Sequence, residues 1–232
     1  MAINERPQDW DNQHTLIMMR SGGGKSLYLR QSGLIPSRGV RAVFWDIDKD
    51  HDCHHYSNRS DFLKALIRAH KSGRGFRIGW GGDNERKTYE WFLQCVWEIL
   101  DGTKLTYIAV EEAADVSEGA GSARGIERTM LNRSRKYGGR FIAVTQRPQE
   151  ISKTVFSASV RHIVGVQSRK DLKYVSDNTG VAQSAVLALS KYDNTRPDSD
   201  QNCCQYVIAE DSEEPTRLNI WPKSGKVTRP SL

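Results

Sequence analysis

Leu16-Ile17-Met18-Met19-Arg20-Ser21-Gly22-Gly23-Gly24-Lys25-Ser26-Leu27-Tyr28-Leu29 is the stretch on which the fold turns. An apolar run leads into three glycines, then a lysine and a serine, then apolar residues again. That order predicts a strand, a tight turn and a helix start. Glycine takes positive φ without a Cβ clash, so successive backbone N–H groups can face one side. Together with the positive end of the new helix they form an anion cradle. Ser21, Gly22, Gly23, Gly24, Lys25, Ser26 and Leu27 are therefore the candidate nucleotide-binding residues, with ATP as the ligand. Lys25 is placed to reach the β- and γ-phosphates, and the Ser26 hydroxyl to hold Mg²⁺. The pattern G-x-x-x-x-G-K-[ST] asks for glycine at position 19, where this chain has Met19. On this stretch alone a plain glycine turn before a helix competes, so the rest of the chain has to decide.

Further along, apolar runs alternate with helical spacing. Val40 to Trp45, Gly75 to Trp80, Leu105 to Val110, Arg140 to Thr145 and Val160 to Val166 read as strands. Ser60 to Lys71, Glu85 to Leu100, Ile126 to Tyr137 and Arg169 to Asn178 read as helices. Trp91 and Trp97 are read as packing residues. Strands alternating with helices predict an α/β fold, a mostly parallel sheet covered on both faces. Sites in such sheets lie at the carboxyl ends of strands. Four polar groups sit at such ends: Lys25-Ser26, Asp46, Glu111-Glu112 and Gln146-Arg147. A late strand pair is predicted within 203–221, separated by an acidic turn over 210–215.

ATP hydrolysis needs a cradle, a metal ligand, a group that positions or deprotonates water, and a γ-phosphate sensor. Glu111 and Glu112 follow a hydrophobic strand. The first is placed to hold Mg²⁺ and the second to act as base. Gln146 closes the following strand and is the sensor candidate. Asp46 to His55 fails as a calcium loop, because His51 stands where the turn glycine belongs and Ser57 where the bidentate glutamate belongs. Adjacent Cys53, His54 and His55 make a poor tetrahedral zinc set. A polar loop near the nucleotide is the simpler reading.

The chain has 232 residues, enough for one large domain. We divide it into a polar N-terminal arm over 1–13, an ATPase domain over 14–222 and a loose tail over 223–232. No apolar run approaches the ~20 residues of a membrane span, and no signal-peptide core is seen, so a soluble intracellular protein without direct membrane insertion is expected. The four cysteines form no C-x-x-C pair. Twelve Lys or Arg against three acidic residues lie between Ser122 and Lys173, a local charge of +9, which leaves −3 for the rest of a chain whose net charge is +6. Such a concentration is the footprint of a polyanionic partner.

Arg133-Ser134-Arg135-Lys136-Tyr137-Gly138-Gly139-Arg140-Phe141-Ile142-Ala143-Val144-Thr145-Gln146-Arg147-Pro148 resembles the FtsK–HerA superfamily of nucleic-acid-pumping ATPases. There a basic helix precedes a strand ending in Thr-Gln, often Thr-Gln-Arg-Pro. Ser159 to Val166 resembles the family's next strand, and the resemblance runs from about Thr15 to Asp171. The small size most resembles genome-packaging ATPases of tailless, membrane-containing phages. The resemblance implies a RecA-like ASCE core with the sensor strand between the loop strand and the acidic strand. It implies Glu111 on the metal and Glu112 as base, although the family usually has Asp where Glu111 stands. It also implies a homo-oligomeric ring, hexameric by expectation, with an arginine finger from a neighbour: Arg147, Arg161 or Arg133. Double-stranded DNA would be gripped through Arg124, Arg128, Arg135 and Lys136. Capsid vertex proteins are the expected docking partners, with residence in the host cytoplasm during assembly and retention in the virion. The rivals are a related DNA pump in phage assembly or conjugation, a small-molecule kinase, and a nucleic-acid scaffold with a weak or dead nucleotide site.

Overall fold

The computed structural model describes residues 10–196, 199, 202–211 and 213–230. Residues 1–9 of the expected N-terminal arm lie outside the described residues. The remainder of the arm is fastened to the fold: Trp10 Nε1 donates to the Gly102 carbonyl at 2.9 Å, and Asn12 Nδ2 to the Ala158 carbonyl at 2.9 Å.

Ten strands form one sheet: β1 (Thr15–Met18), β2 (Arg41–Trp45), β3 (His54–Tyr56), β4 (Phe76–Trp80), β5 (Thr106–Val110), β6 (Gly139–Thr145), β7 (Arg161–Val164), β8 (Cys204–Glu210), β9 (Glu213–Ile220) and β10 (Val227–Thr228). Their order is β10-β9-β8-β7-β1-β6-β5-β2-β4-β3. From β7 to β3 every pairing is parallel, and β8 to β10 add an antiparallel wing. The sensor strand β6 lies between the loop strand β1 and the acidic strand β5, as the resemblance implies.

The period-two alternation of a strand splits the core into two layers. Leu16, Val43, Trp45, Ile108, Val110 and Phe141 face one side, Ile17, Phe44, Tyr107, Ile142 and Val144 the other. The first side takes six of the helices: α2 (Arg59–Lys71), α3 (Arg86–Glu98), α5 (Gly125–Arg133), α6 (Lys153–Ala158), α7 (Leu172–Thr179) and α8 (Gln183–Leu187). α1 (Lys25–Gln31) covers the second, and the one-turn α4 (Ala113–Val116) follows β5. Trp45, Trp80, Phe62, Phe92 and Trp91 make a contiguous aromatic cluster on the first side, so Trp91 packs as expected. Asn58 caps α2, accepting from Ser60 N and Asp61 N, while Arg68, His70 and Lys71 complement the dipole at its other end.

Four local expectations change. His54–Tyr56 is a strand, not loop; it is a three-residue edge strand, too short and polar to show a period. The helix expected over 126–137 is α-helical only to Arg133, and Ser134–Tyr137 is a 3₁₀ turn. The tighter turn lets Gly138, at φ 79°, pass under Lys104, whose carbonyl would lie 2.7 Å from any Cβ there. The acidic turn over 210–215 shrinks, because Glu213–Ile220 is already strand. Pro215 is tolerated beside the register shift between Ile208 and Glu210. In the tail expected to be loose, Val227–Thr228 pairs with β9.

His14 closes the far end of β1. Its Nδ1 accepts from Phe141 N at 3.0 Å, and burial pushes its pKa down to about 4. Burial moves His162 in the same direction. A neutral buried imidazole stabilises the fold fully above the unfolded pKa of 6.5 and loses that contribution as pH falls towards 4. For His14 the loss amounts to about 3 kcal/mol. Urea denaturation at pH 7 and pH 4.5 should show the drop, and His14→Gln should flatten it.

Candidate nucleotide-binding and hydrolysis site

β1 keeps its grip on the sheet beyond its last ladder pair. Met19 N donates to the Thr145 carbonyl at 3.2 Å and Arg20 N to the Val166 carbonyl at 2.9 Å. The chain then leaves the sheet in a turn closed by Gly23 N to the Arg20 carbonyl at 2.9 Å. Gly22 (φ 70°) and Gly24 (φ 93°) are left-handed, the alternation that lets neighbouring amides face one anion. Gly24 caps α1, and its carbonyl accepts from Tyr28 N at 2.9 Å and from the Tyr206 hydroxyl at 3.0 Å. Burial raises the Tyr206 phenol pKa, which keeps it a neutral donor. A Cβ on Gly24 would lie 2.6 Å from the Tyr206 oxygen and 3.0 Å from Cys204 Sγ.

Met19 is wholly buried in the layer beneath α1. A Cβ on Gly165 would come 2.8 Å from Met19 Cβ, and one on Gly23 would come 3.2 Å from it. The methionine therefore fills the space under the loop, and two glycines make room for it. It does not obstruct the cradle.

The acidic pair ends β5 in an unusual bend. Glu112 has φ 44° and ψ 48°, left-handed for a residue with a Cβ, a strain of order 1–3 kcal/mol. The bend brings Glu112 Oε1 to 3.1 Å from Lys25 Nζ. Its Oε2 is buried with no hydrogen-bond partner among the described residues. Glu111 goes elsewhere: its Oε1 meets His51 Nε2 at 2.7 Å, and His51 stacks on Phe44 with ring centroids 5.1 Å apart. The segment that carries His51 wraps around the fully buried Asp46. That carboxylate accepts from Asp50 N and His51 N, both at 3.0 Å, and pairs with His55 Nε2 at 2.7 Å. Asp50 Oδ2 in turn accepts from the Ser26 hydroxyl at 2.7 Å.

These groups line one cleft of about 780 Å³ at the carboxyl ends of the parallel strands. It brings together Ser21, Gly22, Gly24, Lys25, Ser26, Leu27, Glu111, Glu112 and Gln146. Ser26, Asp50 and Glu111 offer hard oxygen ligands of the kind Mg²⁺ prefers, so the donor set fits that ion. Asp46, Cys53 and His55 present ligand atoms within 4.8 Å of one another, but the Asp46 oxygens are already engaged. The Cys53 thiol is pushed up to about 12, by burial first and then by Asp46, which disfavours the thiolate a metal would need.

The arginines are dispersed. Arg147, just after β6, pairs with Asp115, which lines the cleft, and, at 2.8 Å, with Glu150. Arg161 opens β7 and pairs with Glu210, so it sits at the opposite end of the sheet. Arg133 ends α5 and is exposed there, before β6 begins. Arg135 and Lys136 lie at that same end, while Arg124, 85% exposed, and Arg128 lie along the first part of α5. Asp115 and Tyr206 had no signal in a linear reading, since each acts through a partner distant in sequence, whereas Asp50 and His51 fall in the stretch read as a polar loop near the nucleotide, without individual roles. Asp46 had a signal, as a polar group at a strand end.

The fold is a RecA-like α/β sheet of the P-loop ASCE type, with the cleft at the carboxyl ends of its parallel strands. No family model matches the chain. Protein P9 of Pseudoalteromonas phage PM2 is 32% identical over 145 residues, which are 62% of this chain and 64% of that protein, so the match spans just under two thirds of the relative. Among solved structures, the genome packaging NTPase B204 from Sulfolobus turreted icosahedral virus 2 in complex with AMPPCP superposes with a TM-score of 0.68 at 13% identity, over 95% of this chain and 98% of that one. VirB4 of Thermoanaerobacter pseudethanolicus gives 0.57 at 12% identity, over 95% and 92%.

Proposed function

We propose that this chain is an ATP-driven motor of the FtsK–HerA type that moves double-stranded DNA, most specifically a viral genome into a preformed capsid. The observation that carries the ATPase reading is the Lys25–Glu112 contact across the cleft, with Gln146 beside it. Likeness over nearly the whole chain to a viral packaging NTPase, and sequence similarity to a phage protein, support the packaging role.

Bound triphosphate would offer Lys25 a more highly charged partner than Glu112. Lys25 would move to the β- and γ-phosphates, and the carboxylate it leaves would take a proton from the attacking water. Its Oε2, buried and with no hydrogen-bond partner among the described residues, would be the acceptor once Lys25 has moved. Gln146, which follows the strand between β1 and β5, would sense loss of the γ-phosphate. Ser26 and Glu111 would hold Mg²⁺, with His51 fixing the Glu111 carboxylate. The ion would supply positive charge that offsets the charge of the phosphates.

The ring, its hexameric count, a finger from Arg147, Arg161 or Arg133, capsid vertex partners and retention in the virion belong to the same proposal. Among the described residues no helix is long and apolar enough to cross a membrane. Met19, the departure from the loop pattern, packs beneath the loop and gives no reason to prefer a scaffold with a dead nucleotide site.

Turnover by the wild-type chain should rise on adding double-stranded DNA of any sequence. Four phosphate contacts, from Arg124, Arg128, Arg135 and Lys136, predict a log–log salt slope near −3.6 and about a 10²-fold loss of affinity over a fourfold rise in salt. ATPase assays and DNA titrations across salt concentrations test this. A flat salt response would refute phosphate gripping, and an absence of DNA stimulation would refute the motor.

A further inference from the structure

The cleft extends well beyond the phosphate cradle. Its acids stand beyond the ends of the neighbouring strands β5 and β2, while its opposite wall is built by the antiparallel wing. β8 runs antiparallel to β7, so its first residue, Cys204, lies at the level of the cradle. Cys204 is paired with Ile220, which brings Pro222 to the same level. Between β5 and β8 stand β6, β1 and β7, four strand spacings or about 19 Å. With the γ-phosphate directed towards Glu112, a nucleotide has to leave the cradle towards β8.

That wall differs in chemistry from the acidic one. Tyr192 and Pro222, with Leu27 of α1 in the same cleft, give it apolar and aromatic surface, and Asn194 adds one uncharged amide. The loop bearing Tyr192 and Asn194 is braced. Gln205 N donates to the Ser190 carbonyl at 3.0 Å, and Ser190 N to Gln205 Oε1 at 3.0 Å. The Asn202 side chain accepts from Asp193 N at 2.7 Å and donates to the carbonyls of Asp193 at 2.7 Å and Arg196 at 2.6 Å. Tyr192 itself packs against the layer that contains Tyr28 and Cys204. An aromatic face, apolar neighbours and a single donor–acceptor amide on a braced loop suit a planar heterocycle with a polar edge.

We propose that Tyr192 and Asn194, with Leu27 and Pro222, form the nucleobase subsite of this cleft: Tyr192 lies against the face of the base and Asn194 hydrogen-bonds its edge. The inference rests on the nucleotide reading of the cradle.

The test is isothermal titration of the full chain, with Mg²⁺, by two probes: ATP and inorganic tripolyphosphate, which has the phosphates without the base. Wild type should bind ATP about 10-fold or more tightly than tripolyphosphate, a span that base–aromatic contact can supply. Tyr192→Ala should lose about 10-fold in ATP affinity and nothing for tripolyphosphate. Tyr192→Trp should keep the preference, which also shows that the loop tolerates substitution. Asn194→Ala should weaken ATP alone by a few fold. Equal losses for both probes in Tyr192→Ala, or no loss for ATP, would overturn the subsite while leaving the cradle intact. Failure of wild type to bind either probe would overturn the nucleotide reading itself.

Discussion

Glu112→Gln should bind ATP and turn it over at least ~10²-fold more slowly than wild type. The substitution keeps the size of the side chain and an oxygen that can accept from Lys25, so the 3.1 Å contact survives as a weaker hydrogen bond. It removes the capacity to take a proton. It also releases Lys25 from a full negative charge, so ATP affinity should hold or rise. The left-handed bend at φ 44° strains both residues alike, and the fold should be unaffected. Nucleotide binding by titration, beside phosphate release at saturating ATP, separates the two effects. Unchanged turnover would remove Glu112 from the base role. Lost binding together with lost turnover would instead make it a structural partner of Lys25.

Gly24→Ala should abolish measurable nucleotide binding at concentrations that saturate wild type, whereas Gly22→Ala should cost little more than the backbone term. Both glycines are left-handed, a conformation that costs an alanine about 1–2 kcal/mol. Around Gly22 there is open space, but at Gly24 the new methyl would lie 2.6 Å from the Tyr206 hydroxyl oxygen. That contact cannot be kept. Either the loop lifts, and the cradle loses its shape, or Tyr206 retreats from a fully buried site and gives up its bond to the Gly24 carbonyl. A second-site Tyr206→Phe removes the oxygen and should restore part of the binding lost by Gly24→Ala, a non-additivity that a double-mutant cycle reads directly. Equal effects at Gly22 and Gly24 would show that conformation alone, and not the wall behind the loop, decides the outcome.

Much of the arrangement was legible because local pattern and global fold agree here. The apolar run into Gly22-Gly23-Gly24, the six-residue run before Glu111-Glu112 and the strand ending at Gln146 are each recognisable within a dozen residues, and a parallel sheet places such strand ends together. What escaped were relations between distant segments. Tyr206 supports Gly24 across 182 residues of chain, and His51 holds Glu111 across 60. Neither has a periodicity to betray it. The arginines show the converse. Arg147 and Arg161 both sit at strand boundaries, but one follows its strand and the other opens its own, so a parallel sheet sends them to opposite ends. β3 was missed because three half-exposed residues on an edge have no buried face to pattern.

Met19 also changes what a motif position means. Where the pattern asks for glycine, this chain keeps a large side chain and finds the missing volume at Gly165, just past the end of the neighbouring strand β7. The requirement at that point of the loop is thus a shared allotment of space between two strands, and either can supply the small residue. A scan that scores each position by itself registers a defect at 19, whereas one that scores positions 19 and 165 jointly registers an exchange.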